Sequence, residues 1–323
     1  MVVRDRLLAF QERHPITPER YTRIAFAALV LLSLIVFTGA AVRLTGSGLG
    51  CPTWPKCTET SVHSSLDTHG VIEFGNRLLT FVVSAGTVAA WLGVFLVKPA
   101  RPDLKYLALS LPLGVVLQAV IGGLSVLFQL APGWVMTHYL VSMVLLIWAF
   151  DLWWRSSRSP EEVRAAGTDR TLVIGMRVLY VMAFVAIALG TISTAAGPHA
   201  GASGTGEFVG RFDWFGDDTL RLIIHVHGVV VTVLGLLTIA AWFRARTHGS
   251  QELRTTLLLT LALMAAQGVL GIVQYQLELP AELVWVHVAL ATLTWVGFVH
   301  GRAAAGRLPE RAPAAREMVG QTA

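Results

Sequence analysis

Eight stretches of this chain are long enough to cross a membrane and carry no formal charge. A helix spanning the hydrocarbon core of a bilayer needs about 20 predominantly apolar residues. Ile24 to Val42 and Leu78 to Val97 meet that requirement without Asp, Glu, Lys or Arg. Tyr106 to Phe150 is long enough for two helices, and Ala131-Pro132-Gly133 inside it marks a tight turn. Val178 to Gly206 holds a fifth helix followed by a Gly-rich loop, and Leu222 to Phe243, Thr255 to Leu277 and Leu283 to Gly301 supply three more. Buried helices of a soluble protein imitate one or two such runs, not eight. Composition agrees: of 323 residues, 54% are hydrophobic and 14% charged, against roughly 25% charged in soluble domains. Mean hydropathy is +0.62. Disorder, a collagen-like fibre, a small disulfide scaffold and an ordinary soluble α/β enzyme are excluded. The expected fold is an all-α polytopic membrane protein.

Charge sets the expected orientation. The net charge is +5, but it lies between the apolar runs rather than in one patch, which argues against nucleic acid. Alternate connecting segments hold Arg4, Arg6, Arg13, Arg20 and Arg23; Lys98, Arg101 and Lys105; Arg155, Arg158, Arg164, Arg170 and Arg177; Arg244, Arg246 and Arg254; and Arg302, Arg307, Arg311 and Arg316. The opposite loops hold only Lys56 and Arg211, while Arg43, Arg77 and Arg221 sit at outer helix ends. Positive charge stays inside, so both termini are expected in the cytoplasm, as an even number of spans requires. A polar stretch before the first run and the spans after it do not read as a cleavable signal peptide.

The chain also repeats itself. Thr87 and Ala89-Ala90-Trp91 return as Thr238 and Ala240-Ala241-Trp242, Gly39 as Gly190 and Gly46 as Gly197, all at an offset of 151. Later the offset becomes 149: Gln118-Ala-Val-Ile-Gly122 returns as Gln267-Gly-Val-Leu-Gly271, and His138 falls on His287. An ordered series with one small change of offset implies two four-helix units in tandem. Copies four helices apart share one membrane topology, so a rotation about the membrane normal relates them. The expected division is a cytoplasmic segment (1–22), a first unit (23–155), a cytoplasmic linker (156–172), a second unit (173–302) and a cytoplasmic tail (303–323).

Polar residues inside a membrane are costly and mark function. His138, His227 and His287 lie at similar depth in the outer halves of the fourth, sixth and eighth spans. The last two come from the second and fourth helices of one unit, which can face each other across a bundle core. Two facing imidazoles form an axial pair for a haem iron. The competing reading is a histidine hydrogen-bonded between helices; the repeat and the matching depth favour haem. Zinc is disfavoured because no further ligands cluster there. His225 points about 200° away from His227 on a helix and is secondary. His14, His248 and His300 fall on the cytoplasmic side and read as incidental.

At the offset of 151, Asn76 occupies the place of His227. Glu73 is one turn outward of Asn76 on the same face. It reads either as a functional carboxylate, given Ile72 and Phe74 around it, or as a helix-end charge stabilised by the dipole. Arg77 and Arg221 are placed to pair with haem propionates, or equally with lipid headgroups. Cys51 and Cys57, the only cysteines, lie in an outer loop. Their short spacing and oxidising compartment point to a disulfide, a weak global staple with room for a local or redox role.

The run Thr45-Gly-Ser-Gly-Leu-Gly-Cys-Pro-Thr-Trp-Pro-Lys-Cys57, then Ile72-Glu-Phe-Gly-Asn-Arg77, then the Gly197-Pro-His-Ala-Gly201 loop, resembles bacterial haem A synthase, over Arg23 to Arg302. The resemblance implies a membrane oxidoreductase that converts a ring methyl of haem O into the formyl group of haem A, for cytochrome oxidase. It implies a haem b between His227 and His287, a substrate site in the first unit with His138 and the catalytic Glu73, and the cysteine pair at Cys51 and Cys57. It implies a bacterial cell membrane location with haem sites towards the outer face, haem O delivered by haem O synthase, and an electron acceptor it does not name. Oligomeric state stays open, a homo-oligomer included. One departure stands out: the family pattern commonly ends Glu-x-x-His-Arg, whereas here Asn76 precedes Arg77. His69, seven residues before Asn76, is a substitute ligand only if the haem shifts outward or the helix start unwinds, since seven residues rise about 10.5 Å. The expected arrangement has His138 as the sole imidazole on the substrate haem, with Asn76 and Glu73 opposite. The alternative function is a quinone-linked membrane cytochrome b that only transfers electrons, which calls for two complete bis-His sites.

Overall fold

A computed structural model describes residues 13–64, 67–200 and 210–308. Arg4, Arg6, Arg311 and Arg316, with most of the expected N-terminal segment and tail, lie outside the described residues. Eight long helices follow one another: α1 (Pro18–Leu44), α2 (Thr68–Gly93), α3 (Lys105–Leu127), α4 (Pro132–Ser156), α5 (Arg170–Ala196), α6 (Thr219–His248), α7 (Gln251–Gln276) and α8 (Ala281–Ala304). All eight are long and apolar enough to cross a membrane. A short helix, Pro160–Arg164, joins α4 to α5, and a four-residue extended segment, Trp214–Asp217, precedes α6.

The helix starts are written locally. Thr17 accepts the Arg20 N–H ahead of Pro18, Asp67 caps Gly70, Asp169 caps Leu172 and Ser250 caps Leu253. Each supplies an acceptor to an N–H that the helix itself leaves unpaired. The flanks follow the solvent: Phe81 is 72% exposed and Val269 66%, which a bilayer tolerates and water does not.

Helices α1 to α4 pack as one ring and α5 to α8 as another, each helix against its sequence neighbours and the fourth against the first. The second and fourth helices of each ring therefore sit on its diagonal. The α3–α4 turn passes through Gln129 and Leu130 at φ 52° and 57°, and the α7–α8 turn through Glu278 and Leu279 at φ 62° and 63°. Non-glycine residues seldom enter this left-handed region. The rings meet where α8 touches α1 and α4, and α5 touches α4. Indole N–H groups of α8 tie this seam: Trp285 donates to the Phe37 carbonyl and Trp295 to that of Met143, each at 2.9 Å. Trp295 is buried and stacks on Tyr180 with ring centroids 5.0 Å apart.

Candidate functional site

Each of the three intramembrane histidines lies against a glycine of the helix before its own. A Cβ added at Gly122 on α3 would lie 3.1 Å from His138 Cε1, and one at Gly190 on α5 would lie 3.4 Å from His227 Cε1. Gly271 on α7 faces His287 in the same way, at 3.6 Å. A larger residue at Gly122 would push the His138 imidazole by a few tenths of an ångström, while Gly190 and Gly271 bring their histidines to van der Waals distance of an added Cβ. His227 Nδ1 lies 3.0 Å from the Ala186 carbonyl. A carbonyl only accepts, so this nitrogen carries the proton and Nε2 keeps its lone pair, the state a metal requires. Across the first ring's equivalent seat and across the second ring, the same buried atoms lack hydrogen-bond partners: Gln118 Oε1 with His138 Nδ1, and Gln267 Oε1 with His287 Nδ1.

The fourth seat differs. Asn76 on α2 accepts a hydrogen bond from Thr38 Oγ1 of α1 at 2.7 Å. Gly39 beside it has nothing within 4 Å of where a Cβ would lie. This position therefore carries an amide bonded to a neighbouring hydroxyl where the second ring carries an imidazole. His69 does not enter it: the residue is exposed, at the start of α2, with its Nδ1 3.0 Å from Ser47 Oγ.

Above this seat the cysteine loop folds back over the ring. Cys51 and Cys57 are joined, and both are fully buried. Glu73, 5% exposed, holds the loop from below: its Oε2 accepts the Cys51 N–H at 2.7 Å. Arg77 closes the grip. Its Nη2 donates to the carbonyls of Cys51 at 3.0 Å and Thr53 at 3.1 Å, and its Nη1 to Lys56 at 3.2 Å. The same guanidinium pairs with Glu73 Oε1 at 2.7 Å. Trp54 packs its ring on Gly123, the neighbour of the glycine that seats His138, and Gly50 packs on the His69 carbonyl. The loop is thus a roof over the first ring, and the spacing Glu73–Arg77, one helical turn, lets both side chains reach it. Arg221 is exposed at the start of α6, and its carbonyl lies 2.6 Å from His225 Nδ1.

At the opposite end of the bundle lies a polar cluster that the sequence pattern did not reveal. Glu252 Oε1 accepts from Trp154 Nε1, Arg158 Nη2 and His300 Nε2 at 2.9, 2.6 and 2.8 Å. Asp151 accepts from Arg155 at 3.2 Å and Arg302 at 2.7 Å. These bonds join α4 of one ring to α7 and α8 of the other, so His300 and its neighbours serve as a clamp between halves. Their only sequence signal is a set of charges at inner helix ends, which membrane topology accounts for equally well. No group of three or more His, Cys, Asp or Glu suited to a metal ion exists among the described residues.

Comparison with known proteins places this geometry. The chain shares 27% identity with the heme A synthase of Roseobacter denitrificans over 88% of its own length and 87% of that protein. It shares 32% identity with the heme A synthase of Lysinibacillus sphaericus over 39% of its length and 41% of that protein. A protoheme IX farnesyltransferase of Thermus thermophilus is 26% identical over 87% of this chain, yet the match covers 47% of that protein. The chain thus spans about half the length of this relative. Residues 22–299 match the COX15-CtaA model, described as cytochrome oxidase assembly protein. With the roof and the histidine seats inside that match, and nearly all of the eight helices, the chain belongs to the COX15-CtaA family of cytochrome oxidase assembly proteins.

Proposed function

We propose that this chain is a haem A synthase, a membrane oxidoreductase that turns a ring methyl of haem O into a formyl group. The observation that carries the reading is the set of glycine-seated histidines inside a family match over residues 22–299. In this reading the chain is a tandem of two four-helix units. The recurring glycine–histidine contacts and the matching left-handed turns support it. The termini and linker face the cytoplasm, and the histidines lie towards the outer face.

The second ring fits a resident haem b. His227 presents Nε2 with its tautomer fixed by Ala186, and His287 stands diagonally opposite. Bound there, the haem supplies a one-electron redox centre. The first ring is the substrate site. His138 holds the iron of haem O on one side, and Asn76, a poor ligand, leaves the other side open. One strong ligand suits a substrate that must arrive and leave. The methyl and one water become the formyl through two oxidations and loss of water from a gem-diol, and the four electrons and four protons released pass to an external acceptor. Glu73 is ion-paired to Arg77 and fixed by the Cys51 N–H. It acts as a fixed negative charge that stabilises positive charge developing at the methyl, or receives its proton. Arg77 serves the site by holding Glu73 and the roof together, and Arg221 stands ready at the outer rim for a propionate. Cys51 and Cys57 lock the roof over the first ring.

Haem O comes from a farnesyltransferase acting on protohaem. The Thermus relative carries that name while half of it lies outside the match, which supports physical proximity of the two activities. The test is haem extraction from cells that make haem O but not haem A. Introducing this chain is expected to yield haem A, and unchanged haem O would overturn the reading.

A further inference from the structure

Most guanidiniums in the described structure that bear on its interior are matched by a carboxylate. Arg77 has Glu73, Arg101 has Asp103, Arg155 and Arg302 have Asp151, and Arg158 has Glu252. Arg254, near the start of α7, has only the Gln251 amide oxygen among the described residues, and Arg43, in the last turn of α1, likewise lacks a carboxylate but lies at the end of the bundle that carries the histidine seats. Its Nη2 donates to the His199 carbonyl at 2.7 Å. Its Nε is buried and has no hydrogen-bond partner among the described residues. No carboxylate pairs with it among those residues. Among the described residues this cation is met by a neutral carbonyl alone, and a shielded cation is costly unless an anion completes it.

The position of Arg43 says what that anion is. Residues four apart on a helix share a face, so Arg43 stands one turn outward of Gly39. Gly39 flanks the open seat beside Thr38 and Asn76. The guanidinium is held in place from the other ring. The His199 carbonyl receives its hydrogen bond, and His199 Nε2 lies 2.8 Å from the Leu279 carbonyl at the turn into α8. The cation is therefore held where the two rings meet, one helical turn along α1 from Gly39 and the Thr38–Asn76 bond. Arg77 cannot serve there, because its donors are committed to the roof and to Glu73.

We propose that Arg43 is the receptor for a carboxylate of the porphyrin substrate, binding one propionate of haem O at the outer rim of the first ring. The inference rests on the haem reading above and adds to it the residue that selects a porphyrin acid. A guanidinium offers a planar fork that matches a carboxylate in bidentate geometry. It thereby orients the ring in its plane and fixes which edge faces Glu73.

The test uses the full-length protein purified in detergent with its resident haem. Haem O and its dimethyl ester are titrated separately and read by optical difference spectra. The wild type is expected to prefer the free acid by about tenfold to hundredfold, the worth of a hydrogen bond to a charged group. Arg43→Gln is expected to lose that preference while the spectrum of the resident haem stays unchanged. An undiminished preference in Arg43→Gln would overturn the assignment and leave the haem reading intact. Loss of the resident haem signal in that variant would move the carboxylate to the second ring and also overturn it. A wild type that binds neither compound would remove the substrate-site reading itself.

Discussion

Each half of the molecule is a ring of four helices, yet the two outer ends are finished differently. The second ring offers His227 and His287 on diagonal helices, each resting on a glycine, with no cysteine in the described part of the loop above them. The first ring offers His138 alone. Its other seat holds an asparagine turned towards Thr38, and a disulfide-locked roof is gripped by Glu73 and Arg77. In the proposed reading this difference separates retention from turnover: two imidazoles would hold a cofactor tightly, whereas one imidazole, an open face and a fixed charge would suit a molecule that must react and leave.

The largest effect expected from this contrast is on the second ring. His227→Ala or His287→Ala removes the low-spin haem spectrum of the purified protein, whereas His138→Ala preserves it. Equal spectra in all of these variants would erase the distinction between the rings. The first ring answers to a subtler change. Glu73→Gln keeps an acceptor for the Cys51 N–H but loses the charge facing Arg77. Haem A formation should stop while the second-ring haem remains, which extraction and optical spectra measure together.

Asn76→His tests the open seat. The extra imidazole has room beside Gly39, and substrate-loaded protein should gain a second low-spin signal and lose turnover. If no such signal arises in a folded variant, Asn76 does not face the iron.

The eight spans were legible in the sequence because water-soluble folds rarely sustain uncharged apolar runs of about 20 residues. The uncharged run that marks α2 begins only at Leu78, and the reading of Glu73 as the start of the helix falls one turn short, because Glu73 and Arg77 neutralise each other and the helix extends back to Thr68, where Asp67 caps it. Likewise α6 continues past Phe243 to His248, since arginines at an inner end reach water without breaking the helix. The histidines were legible through the repeat offset. The Thr38–Asn76 bond, the Arg43–His199 bond and the Glu252 cluster were not. They join residues 38, 156 and up to 98 positions apart, and only tertiary packing brings them together.

A moderate effect is expected from the roof. Thiol labelling of unreduced protein should find no free cysteine, and full labelling of a folded sample would contradict the bridge. Replacing both cysteines by serine should cost about 2 kcal/mol through loop entropy, seen as a lower melting temperature, with the second-ring haem retained.

The smallest effect concerns the inner end. Asp169 of the second ring pairs with Arg244 at 2.7 Å, whereas the first ring begins with the neutral cap Thr17. The Arg244 guanidinium holds the Asp169 carboxyl below its ordinary value. A depressed carboxylate adds stability above its unfolded pKa, about 3.9, and loses it as pH falls through the folded value. Asp169→Asn should therefore lower the melting temperature slightly at neutral pH, and the gap should close in acid. A gap that persists at low pH would assign the effect to the cap rather than to charge.

The division of labour between the rings is tested most directly by the haems bound to purified protein from cells that make haem O. Wild type is expected to carry haem b together with haem O or haem A. His138→Ala should retain haem b alone, and His227→Ala should lose haem b. A His138→Ala protein that keeps haem O or haem A and loses haem b would contradict the account.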